Sequence, residues 1–343
     1  MDPDEFHCSV QIVRTLDSMF KPSTGGETGV LESYLRAIHF AKRFIYIENQ
    51  YFNNDAITEA LIEALARNVE VILLLNPAPD MPLYLGWQQK AIRRIAKSLS
   101  DNGINPDDRL GVFSAWTHAS AQSTGSSKPT LVDNYLHTKS ALIDNVWASV
   151  GSANLDGASL DSQQYMRQFI GDDLRNTEAN VVVYEENATI VPAVDALRRR
   201  LWSEHLGFSN AADTALDDAP TKKWVPVWRQ LARAKRDALK QDLNNVVAAR
   251  VLEWPTDSYE KALGICRMFK MFKSHATATA YLRSLLSPKE VPSDVVAEKG
   301  PGSYTFTYGA FPDTSVPGSR LASAESAAAI SGSAAISDEA ATT

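Results

Sequence analysis

Through its first two thirds the chain alternates between strand-like and helix-like spacing of apolar residues. Val10 to Arg14 (VQIVR) reads as a strand. Leu31, Leu35, Ile38 and Ala41 recur at helical spacing and predict a helix over Leu31 to Arg43. Phe44 to Phe52 (FIYIENQYF) is rich in β-branched and aromatic residues, which predicts a strand running into a polar end. Asp55 is the expected cap of a second helix with Ile57, Leu61, Ile62 and Leu65 on one face. Val69 to Leu75 is a nearly continuous apolar run, as expected of a strand buried on both faces. Prolines between Asn76 and Pro82 break the pattern, a helix is expected from about Leu83 to Leu99, and a short strand around Leu110 to Ser114. This β-α-β-α-β order predicts an α/β fold, a mixed β-sheet flanked by helices.

Further on, Ala119 to Lys128 reads as a small polar loop, Asn180 to Tyr184 as a strand, and Ala188 to His205 as a helix. From about Trp224 the chain looks helical and charged (RQLARAKRDALKQDL) and need not belong to the α/β unit. Ser319 to Thr343 is Ala/Ser-rich with hardly a large apolar residue, too little to offset its ordering entropy, so disorder is expected there. The expected organisation is thus an α/β unit over 8–207, a helical extension over 208–300 and a mostly disordered tail over 301–343.

The net charge of −7 argues against a nucleic-acid binder that works through a broad basic surface, but leaves room for a locally basic pocket. No stretch approaches the roughly 18 to 20 apolar residues needed to cross a bilayer. The opening MDPDEF has no apolar h-region and does not read as a signal peptide, and the compartment stays open. Cys8 and Cys266, far apart in sequence, suggest neither a disulfide framework nor a metal site.

The chemistry concentrates in Leu136 to Leu160, LHTKSALIDNVWASVGSANLDGASL. His137 and Lys139 are two apart in what reads as a strand, so both point to one face. If Asp144-Asn145 forms a two-residue hairpin turn, 143 pairs with 146 and His137 lies opposite Ser152. A turn one residue longer would alter this register. As drawn, one face holds an imidazole, an ammonium, a hydroxyl and a carboxamide. Lys139, Ser152 and Asn154 could then donate to a phosphate while His137 attacks phosphorus or protonates the leaving group. Asp144 sits seven residues from His137, about 23 Å along a strand, too far to orient the imidazole, so it is expected to hold the turn.

The same stretch matches H-x-K-x4-D-x6-G-S-x-N at His137, Lys139, Asp144, Gly151, Ser152 and Asn154, and so resembles the phospholipase D superfamily. FIYIENQYF, VQIVRT, LDGASL and LRRRLWSEHLG resemble other segments of that family, over about residues 8 to 207. The resemblance implies phosphodiester cleavage through a phosphohistidine, with transfer to water or an alcohol. No cofactor or metal is implied, because Lys139 and its counterpart neutralise the phosphate. Glu48, Asn49 and Gln50 are then expected to line the site. In the family a carboxylate of an N-x-E-x-N segment backs the histidine; Asn176-Thr-Glu178-Ala-Asn180 fits, so Glu178 is the candidate and Asp161 the reserve. Trp116 and His118 are weighed as head-group contacts against a packing role.

Family enzymes use two such motifs, and no other histidine here has the pattern. The chain therefore resembles a C-terminal half, in which the histidine is usually the general acid/base. The resemblance implies a second motif-bearing half, or a homodimer in which His137 plays both parts. Phospholipid is the favoured substrate. Cardiolipin synthase-like or nuclease-like chemistry, or a catalytically silent binding half, are the alternatives.

Overall fold

The structure, a computed structural model, describes residues 8–18, 20, 25–77, 79, 84–119, 130–161, 175–185, 192–242, 244–245 and 247–254. The polar loop after Ala119, the remainder of the expected extension after Trp254 and the expected disordered tail lie outside the described residues.

Among the described residues ten strands form one sheet: β1 (Ser9–Leu16), β2 (Glu27–Thr28), β3 (Phe44–Asn49), β4 (Glu70–Leu75), β5 (Leu110–Ala119), β6 (Thr130–Asp133), β7 (Lys139–Ile143), β8 (Trp147–Gly151), β9 (Glu178–Tyr184) and β10 (Val251–Glu253). Their order is β10-β5-β4-β3-β7-β8-β9-β1-β2, with β6 paired to β5. Among the described strands β3–β4 and β4–β5 pair parallel and the other pairs antiparallel, so the sheet is mixed. Every residue of β3 and β4 is buried, as their apolar runs require of strands covered on both faces.

The helices are α1 (Gly29–Phe40), α2 (Asp55–Ala66), α3 (Tyr84–Asp101), α4 (Pro106–Arg109), α5 (Gly157–Leu160), α6 (Ala193–Leu206) and α7 (Trp224–Gln241). The cap of α2 is Asn54, whose side chain accepts from the Ile57 N–H; Asp55, expected as the cap, is its first residue. On one face of the sheet Phe44, Tyr46, Ile72, Leu74 and Phe113 pack against Trp202 and Leu206 of α6 and Trp224, Val225 and Trp228 of α7. The charged helix assigned to an extension is therefore part of the same core. A strand follows it, β10, which pairs antiparallel with β5. Residue 207 is no boundary of the core.

The hairpin carrying the motif differs from the expected one by a single residue. Asp144 and Asn145 have φ of 53° and 59°, and the Val146 N–H bonds back to the Ile143 carbonyl at 3.0 Å, as in a tight turn. Yet Ile143 pairs with Trp147 and Ser140 with Val150, which leaves Val146 as an extra residue in the ladder. Its carbonyl accepts instead from the Glu185 N–H at 2.8 Å. One residue of slip exchanges the two faces of a strand.

Candidate active site

His137 lies ahead of β7, in the connection from β6, and its side chain reaches solvent. The backbone before it is gripped by Asn76, the buried residue just past the end of β4. The Asn76 Oδ1 accepts from the Leu136 N–H at 2.7 Å, and its Nδ2 donates to the Leu136 carbonyl at 2.9 Å. The same Nδ2 reaches the Gln50 carbonyl at 3.3 Å. One carboxamide thus replaces a strand partner for the residue preceding the histidine.

Lys139 opens β7 opposite Asn49 and is buried. Its Nζ donates to Gln50 Oε1 at 2.6 Å and to the His137 carbonyl at 3.0 Å. The Gln50 amide nitrogen in turn donates to the Tyr135 hydroxyl at 2.6 Å, and the Tyr135 and His137 rings lie stacked with centroids 6.5 Å apart. Asn49 turns toward the other motif loop: its Oδ1 accepts from the Tyr51 and Leu155 N–H groups, and its Nδ2 is buried with no partner among the described residues.

Gly151, the last residue of β8, pairs with Asn180 of β9. The Asn180 Oδ1 accepts from the Ala153 N–H at 3.2 Å, and its Nδ2 donates to Ser149 Oγ at 3.0 Å. Ser152 is not beside His137 by cross-strand pairing, because the extra residue in the turn shifts the ladder. Its hydroxyl donates to Glu178 Oε2, while Ser159 donates to Glu178 Oε1 at 3.0 Å. Glu178, the N-x-E-x-N carboxylate, thus anchors the loop after β8; among the described residues no hydrogen bond joins it to the His137 ring. Asp161, the reserve, accepts from Asn54 Nδ2 at 3.1 Å. Asn154 is half-buried, with its Oδ1 unpaired among the described residues.

Glu48 is on the face of β3 opposite Asn49, buried behind the motif strand. It accepts from Tyr46 Oη at 2.9 Å and Thr138 Oγ1 at 2.8 Å, and faces His205 Nε2 at 3.2 Å. Burial pushes this carboxyl up, but the hydrogen bond and charge of His205, with Thr138 and Tyr46, hold it below the usual carboxylate range. Asp144 accepts from the backbone N–H groups of Lys42 at 2.5 Å, Arg43 at 2.9 Å and Phe44 at 2.9 Å, and so fixes where β3 begins. Trp116 is fully buried, its Nε1 donating to Ser114 Oγ at 2.9 Å, a packing position.

Sequence reading missed Asn76, Thr138, Asn180 and His205. Asn180 had a signal, the closing Asn of N-x-E-x-N, and Asn76 had a fainter one, a polar residue just past a buried parallel strand. Thr138 and His205 had none beyond lying inside segments already singled out.

A family model described as "Cardiolipin synthase, PLD-like domain" matches residues 34–202. Among curated relatives, phospholipase D zeta 1 of Arabidopsis thaliana is 23% identical over 303 residues, covering 74% of this chain and 26% of that protein. Phospholipase D B of Dictyostelium discoideum is 22% identical over 263 residues, covering 67% and 21%. The chain spans about a quarter of the length of the curated relatives it matches. Among solved structures, the phospholipase D family member Nuc of Salmonella typhimurium is 22% identical, over 52% of this chain and 84% of that one, at a TM-score of 0.33. The phosphatidylserine synthase of Haemophilus influenzae is 15% identical, over 70% and 48%, at 0.38.

Proposed function

Because the chain belongs to the phospholipase D superfamily, we propose that it cleaves or transfers a phospholipid phosphodiester, with His137 as a reacting group. The observation that carries this reading is the juxtaposition at the start of β7. An exposed imidazole stands two residues from a buried ammonium, and Gln50 holds that ammonium at 2.6 Å.

The chemistry needs two histidines. One imidazole nitrogen attacks phosphorus, forming a P–N bond as the P–O bond to the leaving alcohol breaks. The other histidine protonates that oxygen. It then takes a proton from water or an acceptor alcohol, whose oxygen displaces the first imidazole and releases the product. Lys139 neutralises charge on the phosphoryl oxygens, joined by the amides of Asn154 and Asn49, while Ser152, its hydroxyl hydrogen given to Glu178, holds the loop. Glu178 is the carboxylate proposed to back a histidine, and its place in N-x-E-x-N supports that role. The second histidine comes from a partner half or from a second copy of this chain. The match to a cardiolipin synthase-type model favours a second reading, transfer to an alcohol rather than to water.

The test is turnover of phosphatidylcholine and of single-stranded DNA in EDTA, with and without phosphatidylglycerol as acceptor, beside His137→Ala. Lipid turnover that survives EDTA and is lost in the variant is the expected result, and a cardiolipin-type product would mark transfer. A folded chain that gains activity only with a second chain bearing H-x-K-x4-D would be half an enzyme. Preference for DNA would overturn the lipid assignment, and activity retained in His137→Ala would overturn the site.

A further inference from the structure

Three segments far apart in sequence meet at one buried carboxylate. Glu48 comes from FIYIENQYF, Thr138 from the H-x-K motif, and His205 from LRRRLWSEHLG. Glu48 was expected to line the substrate, but its side chain is 4% exposed and both of its oxygens are engaged: Oε1 by Thr138, Oε2 by Tyr46 and His205. It also faces away from Asn49 and Lys139, on the side of the sheet that packs against Trp202 and Trp228.

The ladder explains why a carboxylate is placed there. Pairing of β3 with β7 ends at Asn49 opposite Lys139, so residues 136 to 138 lie beyond the last rung. That stretch is held to the sheet by side chains instead. Asn76 takes both backbone groups of Leu136, and Glu48 takes the hydroxyl of Thr138. His137 is the residue between these two clamps. A hydroxyl bonded to a charged, buried acceptor is a stronger tether than a neutral pair, because the low local dielectric strengthens it and an unpaired carboxylate there is costly.

We propose that Glu48, fixed by Tyr46 and His205, is a positioning residue that holds His137 in register through the Thr138 hydroxyl. The proposal rests on the reading of His137 as a reacting group. Glu48 touches no substrate; it acts through the one residue between the motif histidine and lysine. Its loss should slow the chemical step and leave substrate binding by Lys139 and Asn154 nearly intact.

The discriminating substitution is Thr138→Val against Thr138→Ser in the full chain. Thr138 is exposed, so the valine changes little packing, and the serine keeps the hydroxyl. Thr138→Val should lower kcat roughly 10- to 100-fold, the scale of a small misplacement of a reacting group, with KM nearly unchanged and a Tm lowered only by the cost of leaving Glu48 Oε1 unpaired. Thr138→Ser should restore it. Glu48→Gln should fall between them, and the double variant Glu48→Gln/Thr138→Val should be no worse than Thr138→Val alone, since both cut one link. A second readout needs no turnover. The order parameter of the His137 amide should drop from about 0.85 in the parent to below about 0.6 in Thr138→Val. Unchanged kcat and unchanged order parameter in Thr138→Val would overturn the proposal, as would a kcat that merely tracks Tm across the set. A parent chain silent on every phosphodiester, alone and paired, would sink the functional reading instead. The order-parameter arm would still decide whether Glu48 positions His137.

Discussion

A methyl group at position 151 would meet the Asn180 side-chain oxygen and the Ala179 carbonyl, both closer than a real Cβ tolerates. Glycine is required there because β9 approaches β8 at the point where the motif loop leaves the sheet, and Asn180 fills the space a side chain would take. Gly151→Ala is expected to cost about 1–3 kcal/mol, the range for overpacking a tight site, read as a lower urea midpoint. Asp144 has a different problem to solve. Its carboxylate receives three consecutive backbone N–H groups about one hundred residues upstream. Asp144→Asn keeps a residue that tolerates positive φ but turns one acceptor into a donor facing N–H groups. A loss of about 1–3 kcal/mol is expected by the same measurement. The motif made both positions legible as fixed points. What they touch was not legible, because the partners Asn180 and Lys42–Phe44 are distant in sequence and nothing local marks the contact.

The elements that were easiest to read are those whose burial is set by their own sequence. The apolar runs of β3 and β4 and the helical spacing of α1 and α2 fall where periodicity puts them, to within a few residues. The motif hairpin shows where that reasoning stops. Asp144-Asn145 does make a turn of the expected kind, yet Val146 is added to the loop because its carbonyl serves the Glu185 N–H at the far edge of β8. A third strand, not the turn sequence, therefore decides the register. Deleting Val146 should let the two-residue turn close directly on the Ile143–Trp147 pair, keeping both ladders of β8 and removing the carbonyl that accepts from the Glu185 N–H. The faces of β7, β8 and β9 are then unchanged, and the expected cost is that one hydrogen bond, about 1 kcal/mol. A cooperative thermal transition in circular dichroism, at a slightly lower midpoint, is the expected result. A deletion variant that loses the cooperative transition would show that the Val146 link to Glu185 is needed for β8 to pair at all.

At the scale of the whole molecule, the charged helix α7 belongs to the core although RQLARAKRDALK displays its cations. Its other stripe, Trp224, Val225, Trp228, Ala232, Lys235 and Leu239, is buried in the core. The strand end of β4 supports it too: the Glu70 carboxylate accepts from the Trp224 and Val225 N–H groups at 3.0 Å each, capping the helix from the sheet. Lys235 is the odd member of that stripe. It is 1% exposed, and its Nζ donates to the Trp116 carbonyl at 3.1 Å. Burial, with the nearby Arg250 charge, lowers its pKa from 10.5 to about 8. At pH below about 8 both folded and unfolded chains carry the proton, so the folded chain bears the full cost of a buried cation. Between pH 8 and 10.5 the folded lysine is neutral while the unfolded one still binds a proton, so this group's contribution to stability rises with pH. At ~1.36 kcal/mol per pH unit, the interval from about 8 to 10.5 corresponds to about 3 kcal/mol. Lys235→Met keeps the length of the side chain and removes the charge, at the loss of one hydrogen bond worth about 1 kcal/mol. The variant should therefore be more stable than the parent by about 2 kcal/mol at pH 7, measured by urea unfolding, and the advantage should vanish or reverse by pH 10. An advantage equal at both pH values would mean that the cation is solvated in the folded chain and that α7 opens at this turn.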